Sequence, residues 1–227
     1  MLRKYEARLQ VGVVEGAKTV KTPNAAEFSN VPYAEPSHLR GYRSPYYTEK
    51  HVEFRKAMRE LIEKEVRPWA DEAELTQAYP SVEFYKKLGD FGLLAAMMGP
   101  GKHLELVSRL PGGIAPKDFD YWCEGIVHEE LGRIICPGAR DSLGAGIVIS
   151  LPVLINFGTV DKSVAQRVVK EVLMGEKRIC LAVTEPFVGS DVANCRLTAT
   201  KSADGSYYLL NGVKKWITQV RLFFFCR

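Results

Sequence analysis

The amino-acid sequence predicts an α+β chain in which an all-helical part hands over, near residue 177, to a β part. Three observations predict it. Apolar residues recur at helical spacing in successive segments between residues 48 and 176. After Lys177 the period changes to that of strands, punctuated by Asp204-Gly205 and Asn211-Gly212. The composition, 46% hydrophobic and 26% charged over 227 residues, suits a protein that buries a substantial core.

Residues 1–47 are rich in Pro, Ser, Asn and Tyr without a sustained period, so a loosely structured lead-in is expected. The first residues are basic but carry Glu6 and Glu15 and lack a long apolar run, so no secretory signal is expected. A helix is predicted from Thr48, which can cap it; Phe54, Met58, Leu61, Ile62, Val66 and Trp69 share one side, Glu60 and Lys64 support the exposed side, and Pro68 marks a kink or an end. A shorter helix runs from Ser81 through Leu88 with Gly89 as its stop. Residues 99–116 are dense in Gly and Pro and read as loop.

Helical spacing resumes in "KDFDYWCEGIVHEELGRII", where Phe119, Trp122, Cys123, Ile126, Val127, Leu131 and Ile134 fall on one face. The uncharged stretch "SLGAGIVISLPVLINFGTV" is long enough to raise a membrane span, but its Gly, Ser, Pro152 and Asn156 favour a buried core helix. Asp161 is expected to cap a last helix, whose stripe of Val164, Ala165, Val168, Val169, Val172 and Leu173 ends at Gly175. "RICLAV" then reads as a strand, and "RLTATKSADGSYYLLNGVKKWIT" as three more, the Asn-Gly pair predicting a type I′ hairpin.

The formal charge of +4, from 31 basic and 27 acidic side chains without a basic tract, gives no indication of nucleic acid binding. Five cysteines without a Cys-x-x-Cys pair suggest reduced, buried thiols in an intracellular compartment. Gly144-Ala145-Gly146 lacks the third glycine of a dinucleotide loop, and Gly101-Lys102 is followed by His103 rather than Ser or Thr. His128-Glu129-Glu130 has Gly132 where a zinc-binding helix needs its second histidine, so no metal ligands are expected. No nucleophile elbow or histidine dyad is present.

"LAVTEPFVGSD" leaves an apolar run and at once offers two hydroxyls and an open backbone. On its residues alone it reads first as a plain turn, ahead of a strand end facing a polar ligand. Together with "LLNGVKKWIT", however, it resembles the acyl-CoA dehydrogenase family, and "LGDFGLLAA", "HEELGR", "NFGT" and "MGEKRICLAVTEP" fall in that family's order over residues 48–218.

The resemblance implies a helical N-terminal domain at residues 48–176 and an incomplete β-barrel middle domain at 177–227, with FAD as cofactor. It implies that Leu181, Ala182, Val183 and Thr184 run beside the pyrimidine edge of the flavin. Gly189 would let the backbone pass the cofactor, and Ser190 would face both it and the CoA part of the substrate. Trp216 would cover the ring, with Ile217 beside it and the Thr218 hydroxyl near N5. The implied reaction is α,β-dehydrogenation of an acyl-CoA thioester, in a homo-oligomer when the chain is full length; the electron acceptor is not implied.

The catalytic carboxylate of this family belongs to a C-terminal bundle, so the chain is expected to be truncated and, alone, inactive. No catalytic residue is assigned: Glu129 and Glu130 are expected on a solvated helix face and Glu185 in a turn. Phe187-Val188 is bulkier than the family's usual pair, and "QVRLFFFCR" replaces its usual continuation. A flavin-dependent oxidase of the same superfamily, or a non-catalytic fragment acting by protein association, are the alternatives.

Overall fold

A computed structural model of the chain describes residues 28–29, 31, 33–158 and 162–219. The Asp161 cap, Thr159 of "NFGT", Cys226, residues 220–227 of the terminal stretch and the first 27 residues lie outside the described residues.

The helices are α1 (Glu49–Leu61), α2 (Arg67–Thr76), α3 (Val82–Asp90), α4 (Leu93–Ala96), α5 (Tyr121–Gly132), α6 (Pro137–Phe157) and α7 (Lys162–Leu173). Two strands follow, β1 (Thr198–Lys201) and β2 (Tyr208–Asn211). α1 packs on α5, α7 on α6, and α2 and α4 also meet α6. Met58, Ile62, Val66, Leu88, Leu94, Ile126, Leu143, Leu151 and Val172 fill the core between them.

α1 begins where Thr48 predicts, with the His51 ring accepting from the Thr48 N–H in a reciprocal cap. Pro68 does not end the helix. One π turn at Ile62–Val66 precedes it, with Arg67 N–H bonding to Ile62 O, and Pro68 opens α2 where its missing N–H costs no bond. Gly89 is not a stop either: it lies inside α3, where a Cβ would overlap the Met174 backbone, and the left-handed residue that ends the turn is Gly92 (φ 73°).

α5 starts at Asp120, whose carboxylate accepts from Trp122 N–H and Cys123 N–H. Lys50 and His51 also bond to that carboxylate. His51, Asp120 and Cys123 therefore cluster within 4.8 Å, as metal ligands would, but the cluster joins two helix caps. His51 Nδ1 accepts from Thr48, which leaves Nε2 as donor to Asp120, and burial pushes the Cys123 thiol up to about 11.

α6 is the uncharged stretch, extended to Pro137. It is long and apolar enough to cross a membrane by length and composition, with a mean hydropathy of 1.4 over its most apolar window. Leu143, Gly146, Ile147, Ser150 and Leu151 face the core. Ile149, Val153 and Phe157 form an exposed stripe, so the helix is buried on one face rather than throughout.

Two expectations fail on charge. The lead-in is docked at Glu35, which is buried and forms a two-pronged pair with Arg59 at 2.6 and 2.8 Å. Glu130 is not solvated: it is 1% exposed and accepts from Arg55 at 3.0 Å and from Arg59 at 2.9 Å. Glu129 pairs with Arg55 as well. Burial would raise the Glu35 carboxyl, yet the bonds from Arg59 and Ser29 hold it below its ordinary value.

The β part is also rearranged. β1 and β2 pair antiparallel with Thr198 opposite Asn211 and Lys201 opposite Tyr208. Their turn is at Asp204-Gly205, where the Asp204 carboxylate accepts from Ser202 Oγ and from Ser206 N–H and Oγ. Asn211-Gly212 forms no hairpin: Asn211 ends β2 and Gly212 presses on Leu197. "RICLAV" and "VKKWIT" join no strand. The lysines of the second are drawn instead to residues 183–185, as described next.

Candidate functional site

Three pieces of chain converge on residues 181–185. The first is the linker itself. Beyond α7, Arg178 is buried, donates to Pro80 O at 2.7 Å and stacks on Tyr85, with its Cζ 4.6 Å from the ring centre. The Ile179 carbonyl then crosses α6 at Gly146, so closely that a Cβ there would overlap it. Residues 181–184 continue extended into a tight turn, with Glu185 N–H bonded to Val188 O at 2.9 Å and Val188 N–H to Glu185 O at 3.2 Å.

The second piece is residues 195–197. The Glu185 carboxylate accepts from Arg196 N–H at 2.7 Å and Leu197 N–H at 2.9 Å. The Cys195 thiol points to Val183 O at 3.7 Å. The third piece is the extended segment after β2: Lys215 N–H donates to Thr184 O at 2.9 Å. Lys214 Nζ reaches both Val183 O at 2.8 Å and Glu185 Oε1 at 2.9 Å. The bonds from Arg196 and Leu197 N–H, and then from Lys214, hold the Glu185 carboxyl at about 2.

This arrangement uses the carbonyls of Val183 and Thr184 but none of the amides of residues 181–184. Among the described residues, the N–H groups of Leu181, Ala182, Val183 and Thr184 have no protein acceptor. Val183 and Thr184 are half-buried, while Leu181 and Ala182 are exposed. A row of partly buried, unpaired amide donors is costly unless water or a ligand supplies acceptors.

The structure brings Thr184 and the Trp216 segment together through the Thr184–Lys215 bond, one residue from Trp216. Trp216 adopts φ 60°, is 80% exposed and carries Lys215 Nζ 4.8 Å from its ring centre. Ile217 is half-buried and Thr218 exposed. Gln219 fastens the end of the segment to α6 through Asp141 O and Ser142 O at 2.7 and 2.9 Å.

Gly189 and Ser190 are exposed, and a Cβ at Gly189 would meet no protein atom within 4 Å. Phe187 turns outward beneath the Arg196 guanidinium, 5.1 Å from its ring centre, and Val188 is buried.

Three residues that organise the site escape a local reading of the sequence. Glu185 and Lys214 lie in the two motif segments already paired by resemblance, and their opposite charges were the available signal. Arg178 gave none, since its partners are backbone and ring.

The chain matches the family description "Acyl-CoA dehydrogenase, N-terminal domain" over residues 48–176 and "Acyl-CoA dehydrogenase, middle domain" over 180–224. The chain belongs to the acyl-CoA dehydrogenase family. The Acyl-CoA dehydrogenase apdG of Emericella nidulans is 40% identical over 198 residues, covering 85% of this chain and 44% of that protein. The mitochondrial short-chain specific acyl-CoA dehydrogenase of Bos taurus is 30% identical, over 78% of this chain and 39% of that protein. An acyl-CoA dehydrogenase of Bacillus anthracis, solved in complex with FAD, superposes with a TM-score of 0.59 at 28% identity, covering 80% of this chain and 28% of that chain. The chain thus spans less than half the length of these relatives, and its α+β organisation is the one they share.

Proposed function

We propose that this chain forms the FAD-binding face of an acyl-CoA dehydrogenase that introduces an α,β double bond into an acyl-CoA thioester. The observation that carries the reading is the row of unpaired N–H groups at residues 181–184, set beside the Trp216 segment by the Thr184–Lys215 bond. Those donors suit the acceptor-rich edge of a flavin, and open space at Gly189 suits a bulky group passing there. When bound, the flavin supplies the hydride acceptor.

The chain's own residues bind and orient. Leu181, Ala182 and Val183 offer backbone donors, and the Thr184 and Thr218 hydroxyls add polar partners at the edge and toward N5. Trp216 and Ile217 supply apolar cover that excludes water from the ring, and Ser190 stands toward cofactor and CoA. The three carboxylates considered above as bases are committed: Glu130 to Arg55 and Arg59, Glu129 to Arg55, and Glu185 to two amides and Lys214. None of the three is therefore assigned as the proton-abstracting base. An intracellular setting accords with the thiols of Cys123, Cys136 and Cys195, which form no disulfide among the described residues.

Titrating the purified chain with FAD tests the reading. Retention of the flavin with a perturbed absorbance band supports it, as does weaker retention or a shifted band in Thr218→Val. A chain that leaves FAD free in solution contradicts it, and bleaching by acyl-CoA in a version carrying the base separates a dehydrogenase from a fragment that only associates.

A further inference from the structure

We propose that Glu185 and Lys214 form an ionic clasp that positions the two flavin-facing segments. Glu185 acts as a positioning residue whose carboxylate substitutes for a sheet ladder. This deepens the flavin reading and rests on it.

The geometry is specific. Two carboxylate oxygens serve three donors from two distant stretches: Arg196 N–H, Leu197 N–H and Lys214 Nζ. The carboxylate is 5% exposed although the segments around it are largely open to solvent. Lys214 in turn holds Val183 O, so its ammonium links the base of the turn to the strand leading into it. The neighbouring Lys215 N–H bonds to Thr184 O in the same register.

Lys214 and Lys215 hold the carbonyls of Val183 and Thr184, which fixes residues 183–185 against the segment after β2. The clasp thereby fixes the position of the stretch whose amides lack protein acceptors. No strand pairing does so, because residues 178–184 and 213–218 join no strand. Charge-assisted bonds at a shielded site are the strongest directed contacts available where apolar burial is slight. Of the two nearby cations, the Lys214 ammonium is in contact with the carboxylate and the Arg196 guanidinium lies over Phe187.

Glu185→Gln keeps the shape but can accept from only one of the two amides, and it removes the anion that Lys214 needs. Lys214→Met keeps the alkyl stem and removes the charge, while Lys214→Arg restores it. With a charge-assisted hydrogen bond lost, FAD affinity should fall about tenfold or more in Glu185→Gln and Lys214→Met. Lys214→Arg should recover most of it, and the double variant should be no worse than either single one. The flavin absorbance band should shift in the same variants, while the helical melting transition stays in place, which a merely structural lesion would not produce.

Wild-type affinity and an unchanged flavin band in Glu185→Gln would overturn the proposal. If the wild-type chain binds no FAD, the flavin reading fails instead, and amide hydrogen exchange decides the clasp separately. Arg196 and Leu197 amides protected in the wild type and exposed in Glu185→Gln would uphold it; equal exchange in both would overturn it.

Discussion

The helical part and the β part of this chain are held together by different physics. In the helical part, Met58, Ile62, Val66, Leu93, Leu143 and Val172 are removed from water, and Arg55, Arg59, Glu35 and Glu130 are buried among them as a paired network. In the β part, every position of β1 and β2 is exposed, and Tyr207, Leu209, Leu210 and Val213 face solvent. A two-stranded ribbon of this kind is marginal in water. Its order comes from directed bonds that meet at Glu185, and those bonds leave a row of amide donors unused. The difference teaches that the first region is ordered by a packed core of its own, whereas the second is ordered by directed bonds and displays unpaired backbone.

The comparison is sharpened most by breaking the buried network. Arg59→Ala strands Glu35 and Glu130 without their shared cation, and removing one partner of a buried pair costs about 3–5 kcal/mol. Denaturant unfolding followed by helical circular dichroism should show that loss; a change below about 1 kcal/mol would mean the network contributes little.

A smaller effect is expected at the seam. Gly146→Ala forces α6 away from the Ile179 carbonyl, costing about 1–3 kcal/mol by overpacking. Amide exchange in residues 179–184 should rise more than exchange in α1 or α5. A uniform response would deny that the seam is local.

The smallest effect is confined to acid. Glu185 falls from an ordinary 4.5 to about 2 in the folded chain, so its contribution is fully present above about 4.5 and is lost as pH drops through about 2. Protection of the Arg196 and Leu197 amides should therefore decline between those limits. Protection unaffected down to pH 2 would contradict the assigned partners.

The helices were legible because local periodicity and burial agree: Phe54, Met58, Ile62 and Val66 are spaced as a buried stripe, and helices start after Thr48 and Ser81. Gly89 was misread because a glycine demanded by close packing and one that ends a helix look the same in sequence. Glu130 was misread because its partners, Arg55 and Arg59, lie 75 and 71 residues away. Asn211-Gly212 carries a strong local turn preference, but Lys214 and Lys215 gain more by bonding to residues 183–185 than by pairing back on β2. Of the candidate site, the convergence of the two motif segments was legible through family resemblance. The clasp that achieves it was not, since it depends on contacts 29 residues apart between side chain and side chain.

The central claim is that residues 181–184 and the Trp216 segment together face one flavin. Fluorescence of Trp216 during FAD titration tests it most directly, by difference between the wild type and Trp216→Phe. The account predicts saturable quenching by FAD whose amplitude is largely lost in Trp216→Phe. FAD binding that leaves the Trp216 contribution unquenched would contradict it.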